Sequence, residues 1–431
     1  FRRVLFRSYC FASEPVYQRS SKEMKHYSII VVGAGPAGFC AAISAARNMP
    51  VKGHVLLLEG GDQSGRKLLL SGSGQCNFTN VLDKDAFLKK LGSYAMYLKP
   101  AYYNFDNVSL VSLLAEAGCK HFVREDGKVF PASFEAEDVR KALLSQLFRV
   151  GVELRCNTRL ASVKKTEAGF ELGLEDGSSL SAGKLILCTG GASYPQTGSD
   201  GKAARLSKAL GHHPVPFRPH LSSVSIGYFD RFKKCAGIGL IGIQAKFITQ
   251  GGTFEAKGDL LITHKGFSGP LILDNSHLLA KGDEIVIKWF PDIEPLLPEM
   301  IKNSKRMSVI NGLWLTKIPP ALLRAILSPV AYDLMTMSEL RKSDRNWIIE
   351  GLSSSSYYVK ALGNLSNSMA SAGGIPLSEI NAKTMESRLC SGLYFAGEIM
   401  DYALPTGGFN IQIACSTGWL AGQQAAKQTT N

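Results

Sequence analysis

The sequence predicts an α/β protein: a Rossmann-like dinucleotide-binding domain, discontinuous along the chain, with an inserted β-rich domain carrying a small helical subdomain. Three observations predict it. Residues 27–59 read as a strand, a glycine-rich turn, a helix and a second strand ending in an acid. Residues 154–191 alternate short strands with turns, as in a β-meander, and end on a glycine pair. Residues 392–422 supply a further buried strand and a small-residue helix at the far end of the chain, so the N-terminal nucleotide fold is completed from its C-terminus.

In chain order, residues 1–23 come first. FRRVLFRS can be back-translated into an adapter-like oligonucleotide, and this segment is expected to be an artefactual or disordered leader preceding Met24; its Arg- and Ser-rich composition also suits a transit peptide. YSIIVV (27–32) is a run of β-branched and aromatic residues, as in a strand buried on both faces. GAGPAG (33–38) follows it, and FCAAISAARN (39–48) reads as a tightly packed helix. HVLLLE (54–59) places Glu59 21 residues after Gly38. In this fingerprint Gly33 permits the tight turn, Gly35 lets backbone amides approach a pyrophosphate, and Gly38 lets the helix sit close to the strand, while Ala37 lies in the same turn. Glu59 would accept the ribose hydroxyls, with Gly60 behind it, which selects against a 2′-phosphate.

A second glycine pattern, GIGLIG (237–242), lacks this context. It follows RFKKCA, runs into the β-branched GIQAKFIT, and meets no acid-terminated strand about 20 residues later, so the match is expected to be chance. Residues 204–288 hold β-type runs such as SSVSIGYF and DEIVIKWF, whereas 295–350 read as helices interrupted by Pro319, Pro320 and Pro329. These patterns divide the chain into a first nucleotide-binding part (24–203), a β-rich insertion (204–294 with a return at 351–365), the helical segment 295–350 and a C-terminal nucleotide-binding part (366–431).

Composition narrows the function classes. The chain has 431 residues, 45% apolar and 20% charged, enough for a large core and two or three domains. No stretch reaches the ~18–20 apolar residues of a membrane span. Setting aside five basic and two acidic residues of 1–23 lowers the formal charge from +13 to +10. The cations are scattered and not interleaved with aromatics, which argues against a nucleic-acid groove and suits a solvated surface with some attraction for anionic ligands. Nine cysteines with no CxxC and no Cys/His zinc spacing point to a reducing, cytoplasmic setting and to no metal site.

A single dinucleotide site completed from the C-terminus is the arrangement of FAD enzymes. GRKLLLSGSGQCNFTN (65–80), TGGASYPQTGSDG (189–201), LLITHKGFSGP (260–270), SAGGIPLSEINAKTMES (371–387) and GLYFAGEIMDYALPTGGFNIQIA (392–414) resemble, in consistent order, the BaiN-type bacterial NAD(P)/FAD-dependent oxidoreductases, the aminoacetone-oxidase-like flavoproteins. The resemblance implies that Gly397 and Glu398 lie along the ribityl and phosphate portion of FAD, and that Gly407, Gly408 and Asn410, with Phe409 between them, lie under its pyrimidine edge. It implies that Arg66, Lys67, Ser71, Gly72, Gly74 and Asn77 belong to a loop wrapping the cofactor, with Thr189, Gly190 and Leu160 as further contacts. Gln75 stands where the family shows Arg, and Ile413 where it shows an aromatic; the first departure removes a bidentate anion ligand and weakens any inference of an anionic substrate group.

The chemistry is expected to be hydride exchange between flavin N5 and a small organic substrate, with NAD(P)H as the transient donor and an activated C=C as one acceptor. An amine oxidase using O₂ and a flavoprotein that binds nucleic acid or a protein are the rival readings. Tyr194, His264 and Lys265 are the candidate proton-transfer groups in family-like motifs, with His264 preferred on the expectation that the loop holds it over the flavin's substrate face. Cys76 is expected to pack, and His212–His213 to form a loop pair before Pro214.

Overall fold

The computed structural model describes residues 24–49 and 54–427; the leader lies outside them. β1 (Lys25–Val32), α1 (Pro36–Asn48) and β2 (Val55–Leu58) form the expected unit. They sit in a seven-stranded sheet whose order is Glu153–Arg155, β2, β1, Ser179–Leu187, Gly169–Leu174, Leu160–Thr166, with Leu393–Phe395 also pairing with Ser179–Leu187. Val31, Leu57 and Ile186, which lie on its central strands, are fully buried, as a sheet covered on both faces demands.

One detail departs from the sequence reading. Glu153–Arg155 does not belong to the meander; it follows the helix Ala136–Arg149 and pairs in parallel with β2 at the opposite edge. A helical crossover brings a strand back parallel, and periodicity over three residues cannot reveal this. The meander proper begins at Leu160, and its strands pair antiparallel.

The parallel strands end in register. Val32 pairs with Leu58 and with Leu187, and Phe395 pairs with Leu187, so β1, β2, Ser179–Leu187 and Leu393–Phe395 finish along one edge. Beyond it lie Gly33, Glu59, Thr189–Gly190 and Gly397. The carboxyl edge of such a sheet is where ligands bind. The long helix Phe409–Lys427 closes the unit by packing on α1: a Cβ on Gly418 would stand 2.1 Å from the Ala37 carbonyl oxygen, and one on Gly422 the same distance from that of Ala41.

The insertion is a closed six-stranded antiparallel barrel, in the order Val224–Ile226, Gly266–Ser268, Gly252–Ile262, Gly239–Thr249, Glu284–Lys288, Ser355–Leu362. GIGLIG leads into the barrel strand Gly239–Thr249 and opens no helix. The helices between Ile293 and Ser353 share one core with the barrel, in which Phe247, Ile287, Met300, Leu322 and Ile348 are all buried. Ala204 and Leu210 pack in the Rossmann core, so the crossing into the barrel runs through Val215–His220 and not at residue 204. That strand pairs antiparallel with the returning Ala370–Gly374, making a two-stranded bridge between the bodies. Among the described residues no helix is long and apolar enough to cross a membrane.

Candidate FAD site

A cavity of about 360 Å³ opens along the carboxyl edge of the sheet. Its first wall is the fingerprint, where the three glycines take distinct roles. A Cβ on Gly33, at φ +101°, would stand 2.5 Å from the Cys188 carbonyl oxygen; one on Gly38 would stand 1.8 Å from that of Gly33; one on Gly35 would meet nothing within 4 Å. Gly33 and Gly38 are thus demanded by the protein's own packing. Gly35 faces open space, which is what close approach of a ligand needs.

Glu59 is fixed at the end of β2, where its carboxylate accepts hydrogen bonds from the backbone N–H of Ala34 (3.0 Å) and Gly61 (2.8 Å). Burial raises its pKa against these bonds and against Arg66 and Arg159 nearby. Arg159 lies against Gly60 and donates to Asp200 at 2.9 Å, spanning this end of the cavity.

The middle of the cavity is held by charges from distant parts of the chain. Lys67 Nζ donates to Glu398 Oε2 and to Ser193 Oγ, both at 2.5 Å. Glu398 Oε1 accepts from the Ser371 N–H (2.7 Å) and hydroxyl (2.9 Å). At the far end the turn Gly407–Gly408, with φ of +120° and +91°, leads into the C-terminal helix, and a Cβ on Gly408 would strike the Thr79 carbonyl oxygen at 2.5 Å. Asn410 ties this turn down by donating to the carbonyls of Leu404 (3.0 Å) and Pro405 (3.2 Å).

Most of the residues singled out in the sequence converge here. Gly33, Gly35, Ala37, Glu59, Gly60, Arg66, Lys67, Ser71, Gly72, Asn77, Leu160, Thr189, Gly190, Gly397, Glu398, Gly407, Gly408 and Asn410 line the cavity, as does Tyr194. Gly38, Gly74 and Phe409 do not: Gly38 is taken up by helix–strand packing, Gly74 turns a loop at φ +90°, and Phe409 is buried edge-on to Phe87. His264 and Lys265 are exposed at the tip of a barrel turn and do not line the cavity. The turn that carries them closes on itself through Thr263, whose hydroxyl and N–H both donate to the Gly266 carbonyl oxygen.

Arg159, Asp200, Tyr402 and Thr406 also line the cavity and were missed, although Arg159 adjoins Leu160 and the other three fall inside quoted motifs. Burial pushes the Cys76 thiol up to about 12, so it stays protonated and packs. Among the described residues no three metal-binding side chains cluster.

The cavity's chemistry fits a dinucleotide. Arg66 Nε and Asn77 Oδ1 are buried in its wall with no hydrogen-bond partner among the described residues, a costly state unless a ligand satisfies them. The open face of Gly35 and the amides of the Gly407–Asn410 turn suit anionic and carbonyl oxygens.

The model of the HI0933-like protein Rossmann domain matches residues 27–424. The chain belongs to this family. Among curated relatives it is 28% identical to the ribosomal RNA dihydrouridine synthase of Escherichia coli K12, covering 94% of this chain and all of that protein. It is also 28% identical to the 3-dehydro-bile acid delta(4,6)-reductase of Clostridium scindens, covering 92% of this chain and 98% of that one. Its fold resembles the solved 3-ketosteroid delta1-dehydrogenase of Sterolibacterium denitrificans, with TM-score 0.53 and 13% identity over 94% of this chain and 100% of that chain. It likewise resembles the quinol fumarate reductase subunit FrdA of Escherichia coli, with TM-score 0.53 and 15% identity over 95% and 71%.

Proposed function

We propose that this protein reduces a C=C bond conjugated to a carbonyl in a small organic molecule, with NAD(P)H as electron donor. FAD, when bound, supplies hydride from N5. The observation that carries the reading is the composition of the cavity where the two-stranded bridge reaches it: Leu221, Met369 and Ala370 present apolar surface, and Tyr194 lines the same cavity. An uncharged, conjugated substrate suits such a wall. The protein's own tasks are to hold the substrate against the cofactor, exclude water and deliver one proton to the carbon next to the carbonyl.

Tyr194 is the group for that proton. Its backbone, at φ +53°, is unusual for a non-glycine residue, and its N–H donates to the Leu365 carbonyl at 2.9 Å, so the chain returning from the barrel fixes it. Burial raises its pKa, which keeps the phenol protonated at neutral pH. Both curated relatives carry names consistent with saturation of an activated C=C, since dihydrouridine is uridine reduced across C5–C6.

A second reading has the same chemistry on a uracil base within RNA. It is favoured by the relative named as a ribosomal RNA dihydrouridine synthase and by the basic net charge, +10 with residues 1–23 set aside. One experiment separates these. The flavin is reduced anaerobically with NADH or NADPH and then mixed with a conjugated enone or with a uridine-containing rRNA stem-loop. Rapid reoxidation by the enone alone supports the small-molecule reading. Reoxidation by the RNA alone, with dihydrouridine formed, replaces it by the second. Reoxidation only by O₂, after bleaching by an amine, overturns both in favour of an oxidase.

A further inference from the structure

We propose that Asp274 is a positioning residue through which the barrel sets the shape and electric field of the cofactor loop. The inference rests on the cavity holding FAD with its ring system near Gly407–Gly408.

Asp274 belongs to the barrel body. It follows the helical turn Pro270–Leu273, which Gly269 starts and which packs on the strand Gly252–Ile262; a Cβ on Gly258 would stand 3.1 Å from Leu271 N. Its neighbour Leu273 forms a small apolar cluster with Leu221 and Ala370 at the junction of the two bodies. From there the carboxylate reaches across to the other body. Oδ1 accepts the Thr406 N–H at 2.7 Å, and Oδ2 accepts the Thr406 hydroxyl at 3.0 Å.

Thr406 lines the cavity and immediately precedes Gly407–Gly408 and the helix Phe409–Lys427. Both glycines sit in left-handed backbone, so the turn has wide conformational freedom and depends on external ties for a single shape. Those ties come from four sides, one of them Asn80, which donates to the Gly407 carbonyl oxygen at 3.5 Å. Asn410 holds the Leu404 and Pro405 carbonyls from within, His220 lies 3.0 Å from the Leu404 carbonyl on the bridge, and Asp274 holds Thr406 from the barrel.

The tie is also electrostatic. Among the described residues no cation is hydrogen-bonded to the partly buried carboxylate; burial raises its pKa, the two bonds from Thr406 lower it, and Lys128 and Lys90 act on it only from a distance. It stands beside the start of a 19-residue helix, where the unsatisfied amides carry positive potential. A carboxylate there offsets part of that potential. Its loss would leave more positive field facing the cavity, which favours the reduced, more negative cofactor over the oxidised one.

Four measurements test this on the full chain: FAD titration, flavin midpoint potential, hydrogen exchange at the Thr406 amide without cofactor, and thermal melting as a check on folding. D274N keeps an acceptor for the Thr406 N–H and removes the charge. Its midpoint potential should move positive by about 30 mV, the equivalent of a tenfold gain in relative binding of the reduced form of a two-electron couple. D274A removes both tie and charge, and should bind FAD at least tenfold more weakly, with faster exchange at Thr406. T406V removes one of the two bonds and should fall between parent and D274A in FAD affinity; with D274N it keeps the question open to test if D274A does not fold. Folded variants with unchanged affinity and exchange, or a D274N midpoint that stays or moves negative, overturn the proposal. A parent chain that takes up no FAD overturns instead the cofactor reading beneath it.

Discussion

Lys67 Nζ lies 2.5 Å from Glu398 Oε2, joining residues 331 positions apart at the centre of the cavity. The two partners are not equally replaceable. Without Lys67, Glu398 keeps its bonds from Ser371 and Ser193. Without Glu398, the partly buried Lys67 ammonium loses its counter-charge and keeps only Ser193 Oγ, while the Ser371 N–H loses its acceptor. Lys67→Met should cost about 1–2 kcal/mol of stability and Glu398→Ala about 3 kcal/mol. Urea unfolding of both variants checks this, and equal or reversed costs would contradict the network as drawn.

The fingerprint glycines separate binding from folding. Gly35→Val places its side chain in open space, so the chain should fold with near-parent melting temperature and load no FAD. Gly38→Ala forces a methyl group against the Gly33 carbonyl oxygen and should cost about 3 kcal/mol. Gly239→Ala meets no atom within 4 Å and should change neither FAD affinity nor the response to NADH. Flavin content and melting curves of the three proteins decide the matter; selective loss of NADH reactivity in Gly239→Ala would restore a nucleotide role to GIGLIG.

Tyr194→Phe should slow the substrate half-reaction by ~10² while leaving reduction of the flavin by its donor unchanged. His264, exposed on the barrel, is the matched control, and His264→Ala should retain turnover per bound flavin. The reverse pattern in stopped-flow traces would move proton transfer to His264.

Stability should depend on pH through His212. Its ring is buried between Glu379 (2.7 Å) and Ser387 (2.9 Å), and desolvation lowers its pKa below 6.5 more than Glu379 raises it. The unfolded chain therefore binds more protons near pH 6 than the native one does. The stability this contributes is complete above about pH 6.5 and is lost as pH falls through the lowered native value. The pKa of His220 is lowered too, so His212→Gln should reduce, without abolishing, the drop in melting temperature between pH 7 and about pH 5.5. An unchanged slope would exclude His212 as a source.

The cofactor end of the protein was legible because its constraints are local. A strand, three glycines, a helix and Glu59 lie within one short segment, and each has a steric or hydrogen-bonding reason that a linear pattern preserves. The same logic dismissed GIGLIG through the β-branched residues after it, and the structure turns that segment into a barrel strand. The closure of the barrel was not legible, since alternation identifies strands but not which edges meet. Nor was the parallel placement of Glu153–Arg155, which depends on a crossover. The exposure of His264 outside the cavity lining was not legible either: a His-Lys-Gly turn between strands marks a surface loop, and nothing in its neighbours says which way the loop faces. Asp274 carries no motif of its own, and only its position opposite Thr406 gives it meaning.

The packing of the C-terminal helix on α1 has a consequence in time. Gly418 and Gly422 bring it against Ala37 and Ala41, and its first turn forms one end of the cofactor cavity. During synthesis α1 is made early and waits, with its alanine face uncovered, while the meander, the bridge, the barrel and the helices emerge. The barrel body, with a core of its own, can fold in that interval. The nucleotide half cannot be completed until its last helix leaves the ribosome. Capture of the proposed cofactor therefore waits for the helix Phe409–Lys427, and a chain interrupted between about residue 374 and residue 409 would hold a finished barrel on an open sheet.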